Sequence, residues 1–536
     1  MDGRGRAPLR QVSDLDLTAI DRRMTGGDFF TGSGRMSDLV KIELRPLGQT
    51  IEVERGASLR SALHPYGVEF PCGGDGRCAG CRVKVVRGVL PVTADEAWIL
   101  TPEQLAEGWR LACRSTAESD AVLEIEQWEA VILADHSSFE LTPRSGLGIA
   151  VDLGTTTVVA QLLDLRSGTV LGVRTGLNPH TVYGSDVMSR VQIAGAPGQR
   201  IALAEELRRA VGGLVSKLLE SAAPAPAVDR VVMAGNTVMH HLFCAIDVEP
   251  LSHSPFETTE GGLRVFSARE LGWDLRGDPP VGFLPCLGGF VGSDILCGVL
   301  ATRMHERDEV IVLVDLGTNG EIVAGNRRRM LCASTAAGPA FEGGRIGMGM
   351  RAATGAISEV AFEDGRFRCR VVGNASPRGI CGSGLVDAVA AGLELGLVQP
   401  SGRLTQGRPL ELVAPVTLSQ NDVRQLQLAK AAIAAGIRIL GRRFGGDAWE
   451  GAPVYLAGAF GNYVNRKSAC RIGLVRAPVE RIESAGNTAL LGAKMALFAP
   501  DPGEDFGQIR SRIEHVALAA DPEFQKTFVD EMAFPE

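Results

Sequence analysis

The sequence predicts a multidomain chain: a small α+β unit near the N-terminus, then a larger α/β body built from two related halves. Three observations carry this reading. A glycine-rich loop with three cysteines, "FPCGGDGRCAGC" (70–81), sits among short strand-like segments. A strand–turn–strand pattern occurs twice further on, as "VDLGTTTVV" (151–159) and "VDLGTNGEI" (314–322). The 536 residues are enough for roughly three or four domains of ~100–200 residues each.

Composition narrows the function classes. Apolar residues make up 45% and charged residues 22%, an ordinary globular balance. The net charge of −8 offers no basic face for nucleic acid, and aromatics, at 5%, are too sparse for base-stacking platforms. No apolar run approaches the ~18 residues of a membrane span. The N-terminal "MDGRGRAPLRQVSDLDLTAI" lacks the apolar core of a signal peptide. The expected location is the cytoplasm, where the 11 cysteines read as thiols or metal ligands rather than disulfides.

Residues 1–37 are rich in Gly, Arg, Asp and Ser without a sustained period and read as a flexible extension. "DLVKIELRPLGQTIEVERG" alternates apolar and polar residues around Leu47-Gly48-Gln49, the pattern of a β-hairpin. "SLRSALHPYG" is a short helix with Ser58 as N-cap and Gly67 beyond its end. After the cysteine loop, "RVKVVRG" and "AVLEIEQWEAVIL" read as strands, closing a unit over 38–128; 129–145 reads as a linker. The body divides into 146–305 and 306–500, and "NDVRQLQLAKAAIAAGIRIL" is a long amphipathic helix. Residues 501–536 read as a charged tail carrying two short helix- or strand-like pieces.

Cys72, Cys78 and Cys81 follow C-x5-C-x2-C, and Cys113 follows after 31 intervening residues. A [2Fe–2S] centre takes four thiolates, and three from one loop plus one from a distant strand is a ferredoxin arrangement. Glycines let such a loop wrap closely around a cluster. The plant-type spacing is C-x4-C-x2-C, so this loop is one residue longer. A zinc site remains open as an alternative, although it usually pairs two C-x2-C knuckles and one is present here. Four buried thiols are the other alternative. The hairpin–helix–loop order resembles the β-grasp ferredoxin fold.

In each repeated turn an apolar strand ends on an aspartate, Asp152 or Asp315, followed by glycine (Gly154, Gly317) and polar side chains. Thr155, Thr156, Thr318 and Asn319, with neighbouring amides, suit phosphate oxygens. An aspartate can hold Mg²⁺ directly or through water. One such turn alone is weak, because turns commonly contain these residues. Two of them, both after apolar strands, form an internal repeat. No Walker A pattern occurs.

The pair resembles the nucleotide clamp of the actin, sugar kinase and heat-shock ATPase superfamily, with its ribonuclease H-like subdomains. On that resemblance "VYLAGAFGNYV" (454–464) is the adenosine segment, with Gly458 and Gly461 bordering the base. "ICGSGLVDAVAAGLELG" (380–396) is similar to the superfamily's connecting helix. "VVMAGNTVMHHLF" (231–243) and "ASTAAGPAFEGGRIGMGM" (333–350) are candidates to line the cleft, with Glu342 beside Mg²⁺ or water. His240 and His241 read more readily as packed side chains than as ligands.

The whole combination resembles the reductive activators of corrinoid-dependent methyl-transfer proteins. "CGGDGRCAGC", "VDLGTTTVV", "NPHTVYGSDVMSRV", "MAGNTVMHHL", "VDLGTNGEI", "STAAGPAFEGG", "GICGSGLVDAV" and "LAGAFGNYV" occur in the family's order. The resemblance implies an ATP-dependent reductase that returns an inactive Co(II) corrinoid to Co(I) with one electron passed through a [2Fe–2S] cluster. It implies ATP and Mg²⁺ as further cofactors, with Asp152 and Asp315 positioning the ion and the attacking water. A corrinoid methyl-transfer protein, an upstream reductant and a second copy in a homodimer are the implied partners; nucleic acid and membrane are not. An ATP-coupled donor to another metalloenzyme and a non-catalytic nucleotide-binding redox sensor are the competing readings. Cluster type and partner-stimulated ATP turnover discriminate them.

Overall fold

The alternation of Leu39–Arg45 buries Val40, Ile42 and Leu44 on one side and leaves the intervening residues outward, so the segment can be only a half-buried strand. It pairs antiparallel with Gln49–Glu54, Leu44 opposite Gln49, as the hairpin pattern requires. The computed structural model describes residues 38–536 except 46–48, 64–65, 67, 69–75, 77–80, 126–138, 140, 185, 197, 221–226, 259, 364–365, 446–450, 462 and 501. The expected extension, most of the linker, and Cys72 and Cys78 lie outside the described residues.

The small unit is a five-stranded sheet in the order Gln49–Glu54, Leu39–Arg45, Ala121–Ile125, Arg82–Arg87, Trp109–Leu111. The strand at 121–125 runs parallel to 39–45 and antiparallel to 82–87. The short helix Leu59–Leu63 packs Leu59 and Leu63 into the same core as Val83, Leu111 and Leu123. Ser58 Oγ accepts from the Arg60 backbone N–H at 3.3 Å, the start signal read from the sequence.

The body is two lobes with one duplicated topology. In the first, Leu147–Leu153 pairs antiparallel with Thr157–Asp164, which pairs with Val170–Leu177; Arg230–Ala234 lies parallel on the other side of 147–153. In the second, Ile311–Leu316, Gly320–Gly325, Met330–Thr335 and Val454–Ala457 repeat these relations. Asp152 is paired with Ala234 and Asp315 with Ala457, and each alanine precedes a glycine, Gly235 or Gly458. The long helix Gln420–Phe444 covers the second sheet; Ser419 and Asp422 form its capping box and Gly445, at φ 118°, ends it.

Two expectations need correction. The segment expected as the connecting helix forms Gly382–Glu394, but it is buried in the second lobe's own core. The helices lying between the lobes are Ser293–Ala301 and Thr488–Phe498, whose Ile295, Leu296, Leu490 and Leu497 share one core with Ala150 of the first sheet and Leu313 of the second. Small residues allow that approach: a Cβ on Gly492 would meet the Cys297 Cβ at 2.3 Å. Apolarity on nearly every face explains the misreading, since both kinds of helix are fully enclosed.

Residues 501–536 are no tail either. Ile513–His515 adds a parallel strand beside Met330–Thr335, and Phe524–Asp530 packs on the long helix. Glu531, 1% exposed, accepts from Arg438 at 3.0 Å and Arg476 at 2.8 Å. Glu514, Asp521 and Glu523 are ion-paired to the body as well. Among the described residues no helix is long and apolar enough to cross a membrane.

Candidate nucleotide cleft and cluster site

The duplicated strands deliver Asp152 and Asp315 to one place. Each turn is tight: Gly154 N–H bonds Thr157 O at 3.0 Å and Gly317 N–H bonds Asn319 O at 3.1 Å. Asn487 donates from Nδ2 to Asp152 Oδ2 at 2.8 Å. Surrounding protein pushes the Asp152 carboxyl up to about 6, and burial with the charge of Asp152 pushes Asp315 up to about 7. Neither residue is wholly shut off from solvent.

Two further carboxylates join them, and sequence reasoning missed both. Asp294 lies in the first turn of the helix Ser293–Ala301; burial and the charges of Asp315 and Asp152 raise it. Glu321, opposite Asp315 across the hairpin, is raised by burial and by Asp294 and Asp315. Like charges in a shielded cleft make the ionised forms expensive, and a cation there would relieve that repulsion. Among the described residues no three of these groups converge closely enough to ligate one ion by themselves. Asp294 is placed by Gly292, where a Cβ would meet Gly235 O at 2.2 Å, and by Ser293, whose backbone N–H bonds Gly235 O at 2.9 Å.

The hydroxyls expected at phosphate are also brought in. Thr155 Oγ1 accepts from Asn236 Nδ2 at 2.9 Å, which places the "AGNT" turn at the cleft. Thr318 Oγ1 donates to Glu342 Oε1 at 2.8 Å, so the 333–350 segment reaches the second turn. Asn178 holds the first turn from behind: its backbone N–H bonds Thr156 O at 2.9 Å and its Nδ2 bonds Gly154 O at 2.8 Å. Arg190, fully buried, is drawn by Asp186 and by Glu342 of the opposite lobe; burial lowers its pKa to about 9. His240 and His241 are buried and bonded to Gly262 O and to Thr237 O and Thr258 Oγ1. They pack; neither faces the cleft residues above.

An open cavity of about 160 Å³ continues from Thr156, bordered by Phe341, Glu342, Arg351, Gly382 and Phe460. Phe341 and Phe460 stack with ring centroids 4.6 Å apart and planes at 20°. The expected adenosine segment therefore contributes Phe460 and Tyr463 to the wall. Gly458, at φ 82°, does something else: its missing Cβ would sit 2.3 Å from Asp315 Oδ1. Gly461 packs against the Leu456 backbone.

At the other end of the chain, Arg82 pairs with Leu111, and Ala112 N–H bonds Cys81 O at 3.0 Å. That register sets Cys113 beside the end of the cysteine loop, despite the 31 intervening residues. Cys81 is buried, Cys113 half-buried, and neither is in a disulfide. Two cysteines held side by side at the end of the loop fit part of the four-thiolate donor set of a cluster.

Three family profiles match successive parts of the chain. Residues 42–118 match the 2Fe-2S iron-sulfur cluster binding domain. Residues 147–307 match the RACo middle region, and 309–536 the C-terminal domain of RACo, the ASKHA domain. The chain is 33% identical over 412 residues to the corrinoid activation enzyme RamQ of Eubacterium limosum, across 71% of this chain and 69% of the relative. It is 26% identical over 423 residues to the [Co(II) methylated amine-specific corrinoid protein] reductase of Methanosarcina barkeri, across 72% and 77%. The solved reductive activator for corrinoid, iron-sulfur protein superposes with a TM-score of 0.65 at 27% identity, covering 93% of this chain and 98% of that one.

Proposed function

The chain belongs to the RACo family of corrinoid-protein activators, and from that premise we propose that it uses ATP to return an inactive Co(II) corrinoid protein to Co(I). The observation that carries the reading is the meeting of Asp152 and Asp315 from duplicated strands, in a chain whose other end sets Cys81 beside Cys113. When bound, a [2Fe–2S] cluster supplies one-electron transfer and ATP supplies the free energy that makes an uphill reduction possible.

The chain's own residues divide the work. Cys72, Cys78, Cys81 and Cys113 are the proposed cluster ligands. Thr155, Thr156, Thr318 and Asn319 hold phosphate oxygens. Asp152, oriented by Asn487, and Asp315 position Mg²⁺ and water, with Asp294 and Glu321 adding negative charge around the ion. Mg²⁺ typically keeps several waters and is shared with substrate phosphates, so these carboxylates need not all touch it. Phe341 and Phe460 offer a flat apolar wall to the nucleotide base. Hydrolysis then rests on positioning and electrostatics without a covalent enzyme intermediate. An upstream reductant reloads the cluster after each turnover.

The test uses the cluster-loaded protein with a corrinoid partner held as Co(II). Asp152→Ala should abolish ATP-dependent formation of Co(I), while the cluster's visible absorbance stays as in the parent. Undiminished ATP-dependent reduction by that variant would refute the coupling.

A further inference from the structure

The motif "NPHTVYGSDVMSRV" has no place yet in the chemistry. It folds as a turn of 3₁₀ helix, Pro179–Tyr183, followed by the helix Val187–Ala194. Asn178 starts the turn: its Oδ1 accepts from the His180 N–H at 2.9 Å while its Nδ2 holds Gly154 O at 2.8 Å. One side chain thus joins the first phosphate turn to residues 179–183.

The far end of that turn meets the ferredoxin domain. Val182 packs against the core that contains Leu59 and Leu63, and Arg60, from the same short helix, donates to Val182 O. Tyr183, next in line, is tied back to the first lobe through Glu206 at 3.1 Å. A second contact lies on the other lobe. Arg378 donates to Glu124 of the ferredoxin sheet at 3.3 Å. Arg378 directly precedes Gly379–Ile380 and then Gly382 and Ser383, which line the nucleotide cavity. The ferredoxin domain therefore spans the two lobes, resting on each through a segment that also borders the cleft.

We propose that residues 178–183 are a docking surface for the chain's own ferredoxin domain, wired to the first phosphate turn through Asn178. Nucleotide binding then alters the hold on the cluster domain. The inference rests on the nucleotide reading above and adds how that site reaches the cluster. A shift in the Gly154–Thr156 backbone moves Asn178 and with it the Val182 carbonyl. Closure of the lobes changes the spacing between Val182 and Arg378, and both contacts cannot keep their geometry on a rigid sheet. Among the described residues the contacts are few and partly exposed, so they are weak enough for nucleotide binding to switch. Arg60 and Asn178 act as positioning residues, since neither carries the electron or the phosphate chemistry.

Hydrogen–deuterium exchange on the full-length, cluster-loaded protein, with and without magnesium and a non-hydrolysable ATP analogue, tests this. The expected result is a changed exchange rate at 154–157, at 179–183 and in the ferredoxin helix 59–63. In Asn178→Asp the acceptor for His180 persists and the donor to Gly154 is lost. There the response at 154–157 should remain and that at 59–63 should disappear. Arg60→Ala should lose the 59–63 response alone, with Arg60→Lys restoring part of it. A response at 154–157 with none at 59–63 in the parent protein would overturn the docking link and leave the nucleotide reading standing. No response at 154–157 would overturn both. A full 59–63 response in Asn178→Asp would remove Asn178 from the path.

Discussion

Gly458→Ala isolates a single contact in the clamp. The residue sits at φ 82°, where an L side chain is strained, and its Cβ would lie 2.3 Å from Asp315 Oδ1 and 3.0 Å from Leu316 O. The backbone strain costs about 1–2 kcal/mol, of which roughly 0.4–1 is offset by stiffening the unfolded chain. Overpacking adds about 1–3 kcal/mol. Gly396→Ala is the control in the same lobe: φ is 67° and nothing lies within 4 Å of the added methyl. The control should therefore lose about 1 kcal/mol and Gly458→Ala roughly 2–4 kcal/mol. For a lobe of this size that is ~2–4 °C against ~5–15 °C in Tm. The steric load falls on Asp315, so displacement worth ~1.4 kcal/mol would weaken magnesium–nucleotide binding about tenfold, and only in Gly458→Ala. Thermal melts read the first effect and calorimetric titration the second. Equal Tm shifts and equal nucleotide affinity in the two variants would refute the placement of Gly458 against Asp315.

The raised carboxyl of Asp315 makes stability of the nucleotide-free protein depend on pH. With its folded value near 7 against an ordinary 3.8, the folded state holds the extra proton, so its contribution falls as pH rises from about 4 through 7. Asp315→Asn should gain Tm relative to the parent between pH 5 and 8; parallel curves would show that the group is not perturbed. Cys113→Ser should lose the visible absorbance and the reduced-state EPR signal of a [2Fe–2S] cluster while binding nucleotide normally. Full cluster content in that variant would exclude Cys113 as a ligand.

Local pattern made much of the architecture legible. Alternation gave away the hairpin at 39–54, and apolar strands ending in Asp-x-Gly-Thr exposed the duplication. Each of those signals is produced by neighbours in the chain. The errors arose where tertiary enclosure overrides local signal. Gly382–Glu394 and Thr488–Phe498 are both apolar and rich in small residues, and only the second lies between the lobes. Glu531 looked solvated because its partners, Arg438 and Arg476, are distant in sequence.

One missed signal was present in the letters. "AGNT" occurs twice, at 234–237 and 485–488. Both asparagines N-cap a helix with Oδ1, and both turn Nδ2 toward the clamp, Asn236 to Thr155 and Asn487 to Asp152. The repeat has a physical reason. An asparagine cap spends its acceptor on the helix and keeps two donors free, whereas aspartate or serine in the same place would leave none or one. Two turns that each need a rigid donor aimed at an acceptor in the clamp therefore select the same tetrapeptide. Replacing Asn487 by Asp tests that logic directly: the cap acceptor survives, the donor to Asp152 becomes a repelling carboxylate, and Asp152 is pushed further up. Turnover should then collapse at neutral pH while the helix and its melting transition persist. A variant with parental ATP turnover would show that Asn487 serves only as a cap.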